Sequence, residues 1–197
     1  AQAVEGAGTL RELIEKADAL AIGPGLGQGA GGAAQFGVAL GADRPLVLDA
    51  DALNLLARRN NVALAPDTVL TPHPGEAARL LGITTAQVQA DRPAAARALC
   101  ERFGCVIVLK GAGTLVAAPD ETPRVIAAGN PGLATGGTGD VLTGVIAALR
   151  VQGWPAFQAA CTGALLHAVA GDTAALEGER GMLASDLFAP LRGLVNA

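Results

Sequence analysis

Four short stretches of the chain are almost continuously apolar and stop at Gly, Asp or Pro: "ADALAIG" (17–23), "PLVLDAD" (45–51), "DTVLTP" (67–72) and "CVIVLKG" (105–111). Short runs without polar alternation are what strands buried on both faces show. Between them, "GGAAQFGVALG", "DALNLLARRN" and "PGEAARLLG" space apolar residues three and four apart, the period of a helix. "TTAQVQADRPAAARALCERFG" predicts a further helical segment that Pro93 breaks or restarts. Strand and helix in alternation predict a mainly parallel α/β sheet. From Gly113, "GTLVAAPDETPRVIAAGNPG" predicts two strands joined by a polar turn, an antiparallel hairpin at the sheet edge. After Gly137 helices dominate, and no internal repeat interrupts the order.

The length, 197 residues, and the lack of a proline- or charge-rich linker suit a single domain over 1–197. With 51% hydrophobic residues, 16% charged residues and 27 glycines, the composition suits helices packed closely on a buried sheet. A net charge of −4, no tyrosine and no basic cluster argue against a nucleic-acid surface, so an anionic ligand must be held locally. No apolar run is expected to approach the roughly 20 residues that cross a bilayer. Arg150 closes the run from Val141, and Gln158 and His167 interrupt the next. The N-terminal stretch carries acids and no unbroken apolar core, which resembles neither a signal nor a transit peptide and makes the cytoplasm the expected location. Cys100, Cys105 and Cys161 are odd in number, lack metal spacing and read as reduced core thiols.

Ligands of open parallel sheets bind beyond the carboxyl ends of the strands. The unusual residues fall there: "GPGLG", "DAD", "TPHPGE" and "KGAGT" follow the four predicted strands in turn, and "GGTGD" follows the hairpin. Gly27, Gly29 and Gly32 spell GxGxxG, with Asp49 about 20 residues on as a dinucleotide fingerprint asks. The first glycine of that fingerprint belongs in the tight turn, however, and here "GPGL" intervenes. The loop reads better as a close approach of backbone to a ligand, with a plain packing turn as the alternative.

"GGTGDVLTGVIAAL" carries more. Glycines permit close approach, and the free amides and dipole of a helix start attract anions, so Gly137, Thr138 and Gly139 can form a phosphate cradle. Asp140 then stands in the first helical turn, where a carboxylate can take a proton from an attacking hydroxyl; its plain alternative is to complement the helix dipole. GxxxxGK[ST] does not occur, which excludes a P-loop. In "TPHPGEAARLLG", Pro74 helps to start a helix, with His73 at the crevice and Glu76 in the first turn. Glu76 can hold a water of a phosphate-bound Mg²⁺ or cap the helix, and His73 can touch substrate or be an ordinary surface side chain. Lys110 ends a buried strand and calls for an anion, either a nucleotide phosphate or a structural carboxylate. Asp49, Asp51 and Asn54 orient substrate or cap the next helix. His167 reads as a satisfied core histidine.

Taken together, "GPGLG", "LDADALNLL", "TPHPGEAARLLG", "VLKGAGTLV", "GNPGLATGGTGDVLTGVIAAL" and "HAVAGDTAA" closely resemble the ADP/ATP-dependent (S)-NAD(P)H-hydrate dehydratases of the ribokinase-like superfamily, in order and over nearly the whole chain. The resemblance implies a three-layer α/β/α fold and a hydro-lyase that repairs NADH and NADPH whose ring has been hydrated, with ADP or ATP as co-substrate and Mg²⁺ as cofactor. It implies that Gly25, His73 and Asp140 contact the hydrated cofactor, that Lys110, Gly111, Ala112, Gly113, Thr114 and Gly139 bind the adenine nucleotide, and that Glu76 is the outer metal-associated acid. His73 and Glu76 are similar in position to the Asn-x-x-Glu motif of ribokinase-like kinases, with His in place of Asn.

Family members ordinarily carry an upstream segment with another glycine-rich strand and loop, so the expectation is a chain lacking that segment, with an NAD(P)H-hydrate epimerase fused to it or working beside it. Self-association into a homo-oligomer is expected, with the apolar stretch "WPAFQAACTGALLHAVAG" serving as interface or as core. Two rival functions use the same loops: a small-molecule kinase for a vitamin-precursor alcohol, and a nucleotide-binding sensor without turnover.

Overall fold

The computed structural model describes residues 7–59 and 62–196. Strands β1 (Leu20–Ile22), β2 (Leu46–Leu48), β3 (Val69–Leu70) and β4 (Val106–Leu109) lie side by side in chain order and all parallel. The hairpin β5 (Thr114–Ala117) and β6 (Arg124–Ile126) follows antiparallel at the far edge, as the polar turn predicts. Each strand is shorter than its apolar run because the chain turns away at the carboxyl end, but the ladder continues one step further. The amide of Asp49 donates to Ile22 O (3.0 Å), that of Thr71 to Leu48 O (3.0 Å) and that of Lys110 to Pro72 O (2.9 Å). Three residues of the crevice are thus held in the rigid sheet rather than in free loops.

Parallel neighbours in chain order need crossovers of one hand, which puts the connecting helices on one face. Those helices are α2 (Ala30–Leu40), α3 (Ala50–Ala57), α4 (Pro74–Leu81), α5 (Thr85–Ala90) and α6 (Arg92–Phe103), with α1 (Ala7–Glu15) beside α2. α7 (Thr138–Val151) and α8 (Ala156–Ala174) cover the other face, and α9 (Phe188–Leu194) packs on α8. The strands sort their side chains accordingly. Leu46, Leu48, Leu70, Ile107, Leu109 and Leu115 face the connecting helices, while Val47, Val69, Val106, Val108 and Val116 face α7 and α8. Against the valines α8 presents Ala156, Ala160, Ala164 and Ala168, four residues apart on one stripe, so small meets small and the layer lies close. Burying each large aliphatic side chain contributes about 1.5–3 kcal/mol before conformational entropy is counted.

Local chemistry sets the helix boundaries. Pro93 does not bend a continuous helix: α5 ends at Ala90, and Asp91 restarts the chain by accepting from the Ala94 amide (2.9 Å), with Pro93 in the first turn of α6. The predicted helix 51–60 runs over Ala50–Ala57, and Asn60 lies outside the described residues. The expectation that no run reaches membrane-spanning length needs correction, because Ala156–Glu177 forms 22 helical residues containing an 18-residue stretch of mean hydropathy 1.2. Alanine, leucine and valine carry that hydropathy past His167, and α8 packs against β3 to β6, α7 and α9. Cys100 and Cys105 are buried and unpaired, and burial pushes the Cys100 thiol up to about 11, which keeps it protonated.

The contact between α7 and α8 gives a prediction from two glycines. A Cβ on Gly163 would lie 2.7 Å from Ile146 Cγ1, whereas one on Gly144 meets nothing within 4 Å. Gly163→Ala should lower the unfolding free energy by about 1–3 kcal/mol through overpacking. Gly144→Ala should raise it by about 0.5–1 kcal/mol through helix propensity. Urea titration of both variants checks the opposite signs.

Candidate active site

At the carboxyl ends of β2 and β4 sits an ion pair with a buried carboxylate and a partly buried ammonium. Lys110 Nζ lies 2.7 Å from Asp49 Oδ1, reaching across the end of the intervening β3. The other Asp49 oxygen, Oδ2, accepts from Thr143 Oγ1 (3.0 Å), one turn beyond Asp140 on α7. Asp49 is 1% exposed, so its carboxylate is desolvated and both oxygens are engaged. It starts α3 through its backbone without a side-chain capping bond, so the capping alternative is not realised. For Lys110 the structure realises the carboxylate partner. The Lys110 side chain remains a fifth exposed, and its Nζ also lies 3.9 Å from Glu76 Oε2.

The loop ahead of α7 closes over this pair. A Cβ on Gly139 would stand 3.2 Å from Lys110 Nζ and 3.6 Å from Asp49 Oδ2, so a bare backbone lets the helix start approach the charges. Gly137 turns the chain into the helix at φ 91°, a conformation that favours glycine. No side chain caps α7, and among the described residues no loop carbonyl accepts from the Gly139 or Asp140 amides. Unengaged amides, the helix dipole and the nearby ammonium together favour an anion at this spot. Asp140 projects from the same turn and is exposed. Thr138, by contrast, is buried, and its hydroxyl donates to Leu133 O (2.6 Å) and Thr135 O (2.8 Å), so it holds the loop rather than facing a ligand.

Helix α8 braces this loop from behind. Buried His167 Nε2 lies 2.8 Å from Thr138 O, and because a carbonyl can only accept, that nitrogen carries the proton. Asp172 accepts from the Gly129 amide (2.9 Å) and from Asn130 Nδ2 (3.0 Å), while Asn130 Oδ1 accepts from the Gly132 amide (2.9 Å). His167 is therefore the satisfied core histidine that the sequence suggested, with a partner in the phosphate-cradle candidate.

On the other side, His73 is the N-cap of α4 through its ring. Nδ1 accepts from the Gly75 (3.0 Å) and Glu76 (3.4 Å) amides, and Glu76 Oε2 accepts in return from the His73 amide (2.8 Å). This is a capping box with histidine in the place of serine or threonine. Burial, then the positive charges of Lys110 and Arg79, lower the His73 pKa; burial raises that of Glu76. Capping needs Nδ1 unprotonated, so the lowered pKa and the hydrogen bonds agree. Among the described residues no three His, Cys, Asp or Glu side chains gather closely enough to cage a metal.

The 110–114 loop is supported from below by Arg92. Its guanidinium donates to the carbonyls of Leu109 (3.1 Å), Lys110 (3.3 Å) and Gly113 (3.2 Å), and Thr114 Oγ1 donates to Gly111 O (3.0 Å). Gly111 and Ala112 are exposed at its tip. Gly25 is exposed in the β1–α2 loop, whose base is pinned where the Gly27 amide donates to Asp51 Oδ2 (2.9 Å). Asn54 does not join the Asp49–Lys110 cluster. It accepts from Arg79 Nε (2.9 Å) and lines a side cleft of about 400 Å³ with Gln28, Ala57, Arg58 and Arg79. Sequence reasoning missed Thr143, Arg92, Asp172 and the two cleft arginines. The one available signal was Thr143, a polar residue three places after Asp140 on the helix's inward face.

Comparison with known proteins adds the following. The profile of the family described as NAD(P)H-hydrate dehydratase matches residues 2–192. The bifunctional NAD(P)H-hydrate repair enzyme Nnr of Escherichia coli (strain K12) is 49% identical over 193 residues, covering 95% of this chain and 36% of that protein. The ADP-dependent (S)-NAD(P)H-hydrate dehydratase of Neisseria meningitidis serogroup B is 49% identical over 178 residues, covering 81% of this chain and 59% of that protein. The chain thus spans well under two thirds of the length of either relative. Among solved structures, the ADP/ATP-dependent NAD(P)H-hydrate dehydratase of Bacillus subtilis, co-crystallized with ATP/Mg²⁺, superposes with a TM-score of 0.82 at 35% identity, over 91% of this chain and 64% of that one.

The His73 cap predicts a pH response. A native pKa below the reference 6.5 means that the unfolded state binds more protons as pH falls through 6.5, so the fold loses stability from there down to the native midpoint. His73→Asn keeps a capping oxygen and lacks the titrating ring. Denaturant midpoints at about pH 7.5 and about pH 5.5 should fall less in the variant than in the parent. Glu76 contributes with the opposite sign but is present in both proteins. Equal falls would contradict the neutral-ring cap.

Proposed function

This chain belongs to the NAD(P)H-hydrate dehydratase family, and from that membership we propose that it catalyses ADP- or ATP-driven dehydration of the S form of hydrated NADH or NADPH. The observation that carries the reading is the exposed Asp140 carboxylate in the same turn as the uncapped amides of α7, above the Lys110 ammonium. A general base and a phosphate cradle within one helical turn are what phosphorylation of a hydroxyl requires.

In this reading Asp140 takes the proton of the ring hydroxyl as its oxygen attacks the terminal phosphorus of the nucleotide. The amides of Gly137 and Gly139, with Lys110, receive the developing negative charge, while the Thr138 amide stays bonded to Thr135 O (3.4 Å). Hydroxide is a poor leaving group and phosphate a better one. The ring nitrogen's lone pair expels phosphate, and loss of a proton from the adjacent carbon restores the reduced ring, leaving inorganic phosphate and a nucleotide shorter by one phosphate. Gly25 and His73 flank the substrate side, and the 110–114 loop the nucleotide side. Asp49, which is buried and bonded at both oxygens, positions Lys110 instead of touching substrate.

The donor set bears on the metal. Among the described residues there is no three-ligand cluster; buried Asp49 is engaged at both oxygens by Lys110 and Thr143, and Glu76 Oε2 already accepts from the His73 amide, so the residues fit a Mg²⁺ that brings water and phosphate oxygens as most of its shell. Glu76 would reach such an ion through a water, and the ion would neutralise phosphate charge. Relatives named bifunctional repair enzymes support a companion activity, which in this reading is an epimerase, fused or separate.

The decisive assay mixes the protein with hydrated NADH and ADP or ATP and follows the return of reduced-nicotinamide absorbance together with phosphate release. Accumulation of a stable phosphorylated substrate would indicate a kinase instead, and nucleotide binding without turnover a sensor. Asp140→Asn should lower turnover by about 10²-fold or more, the usual size of a general-base contribution. Unchanged turnover would remove Asp140 from the chemistry.

A further inference from the structure

Two arginines line the side cleft and neither has a carboxylate partner. Arg58, at the end of α3, donates to Gln28 O and Gln28 Oε1. Arg79, in the last turn of α4, donates to Asn54 Oδ1 (2.9 Å) and Gly75 O (3.2 Å). Among the described residues neither forms an ion pair, whereas Lys110 and Arg150 are matched to Asp49 and Asp67. Asp51 does not neutralise the cleft directly, because its two oxygens accept from the Gly27 amide and Gln28 Nε2 (2.8 Å). Gln28 stands between that acid and Arg58. The cleft lining of Gln28, Asn54, Ala57, Arg58 and Arg79 contains no acid at all, in a chain whose net charge is −4. Both arginines are exposed and are held in place by neutral acceptors.

The cleft adjoins the substrate side of the site. Gln28 follows Gly25 in one loop, and Gly75, whose carbonyl holds Arg79, donates its amide to the His73 ring (3.0 Å). Arg79 is close enough for its charge to bear on that ring. The nucleotide side lies across the Asp49–Lys110 pair, at the 110–114 loop and the start of α7. A reaction between a dinucleotide and ADP or ATP needs two separate phosphate sites, and the α7 start accounts for only one of them.

We propose that Arg58 and Arg79 form the subsite for the phosphate groups of the dinucleotide substrate. The inference rests on the dehydratase reading above and adds to it the groups that recognise the substrate away from the ring. Guanidinium forks match phosphate oxygens two at a time, and the cleft of about 400 Å³ has the size of a small-ligand pocket. Asn54 belongs to this subsite by orienting Arg79.

The test is steady-state kinetics of the parent, Arg58→Ala, Arg79→Ala and the double variant. The KM for hydrated NADH should rise about 10-fold for each arginine removed, with kcat and the nucleotide KM within about 2-fold of the parent. Added salt should raise the parent's KM more than the double variant's. A larger effect with hydrated NADPH assigns the ribose phosphate, and an equal effect assigns the pyrophosphate; both support the subsite. A raised nucleotide KM with an unchanged substrate KM, or no change in either, overturns it. Arg79→Ala also frees Asn54 and Gly75, so Arg58→Ala, which loses only its bonds to Gln28, decides the matter if Arg79→Ala does not fold. Calorimetric titration with inorganic pyrophosphate at saturating ADP reads the cleft without catalysis. Binding in the parent that weakens about 10-fold or more in Arg58→Ala supports the subsite even if no dehydration occurs. Unchanged binding overturns it even in an active enzyme.

Discussion

The site depends on one largely buried ion pair. Asp49 closes β2, Lys110 closes β4, and their side chains meet across the end of the short β3 at 2.7 Å, with Thr143 of α7 completing the carboxylate. Burying two charges costs several kcal/mol each, and their attraction roughly offsets that cost, so the pair adds little to net stability. What it adds is position. Separating the partners would leave a bare charge in the protein, so the ends of two strands and the first turns of α7 are held in one arrangement. Gly139 makes this possible, because a side chain there would press on Lys110 Nζ.

A division of charge follows from that arrangement. Lys110 is neutralised from below by Asp49, yet its ammonium still lies beneath the uncapped amides of α7, so the cradle attracts an anion without a cluster of basic residues. Asp140 stands at the rim of the same turn. On the far side, His73 and Glu76 satisfy each other in a capping box, which fixes the His73 ring at the start of α4. Behind, His167 and Asp172 of α8 and Arg92 of α6 hold the two glycine loops through their carbonyls and amides, so loops rich in flexible residues have defined shapes.

Much of this was legible in the chain because the signals are local. The four apolar runs, the hairpin turn in "APDETP" and the three-and-four spacing of the helices depend on near neighbours. Placing the crevice needed only the rule that ligands lie beyond the carboxyl ends of parallel strands. Asp140 after a glycine run was legible for the same reason. The supports were not. Thr143 meets Asp49 from 94 residues away and Asp172 meets Gly129 from 43, and no periodicity encodes such pairs. Lys110 was open between a ligand phosphate and a carboxylate because burial of an ammonium demands an anion without saying which. Asp49 read as a cap or a substrate contact, since nothing local revealed that a lysine would consume it. The apolar length of α8 is masked by Gln158 and His167 when the run is read residue by residue, and it emerges only from an average along the helix.

The most direct measurement is a double-mutant cycle on the buried pair, with Asp49→Asn, Lys110→Met and both together followed by unfolding free energy. Lys110→Met leaves the Asp49 carboxylate buried without its partner and should cost about 3–5 kcal/mol, whereas Asp49→Asn leaves an ammonium that is a fifth exposed and near Glu76 and should cost less. The account predicts that the double variant costs well below the sum of the singles, with a coupling of about 1.5 kcal/mol or more. Additive losses would show that the two side chains act independently, and would contradict a site organised around their contact.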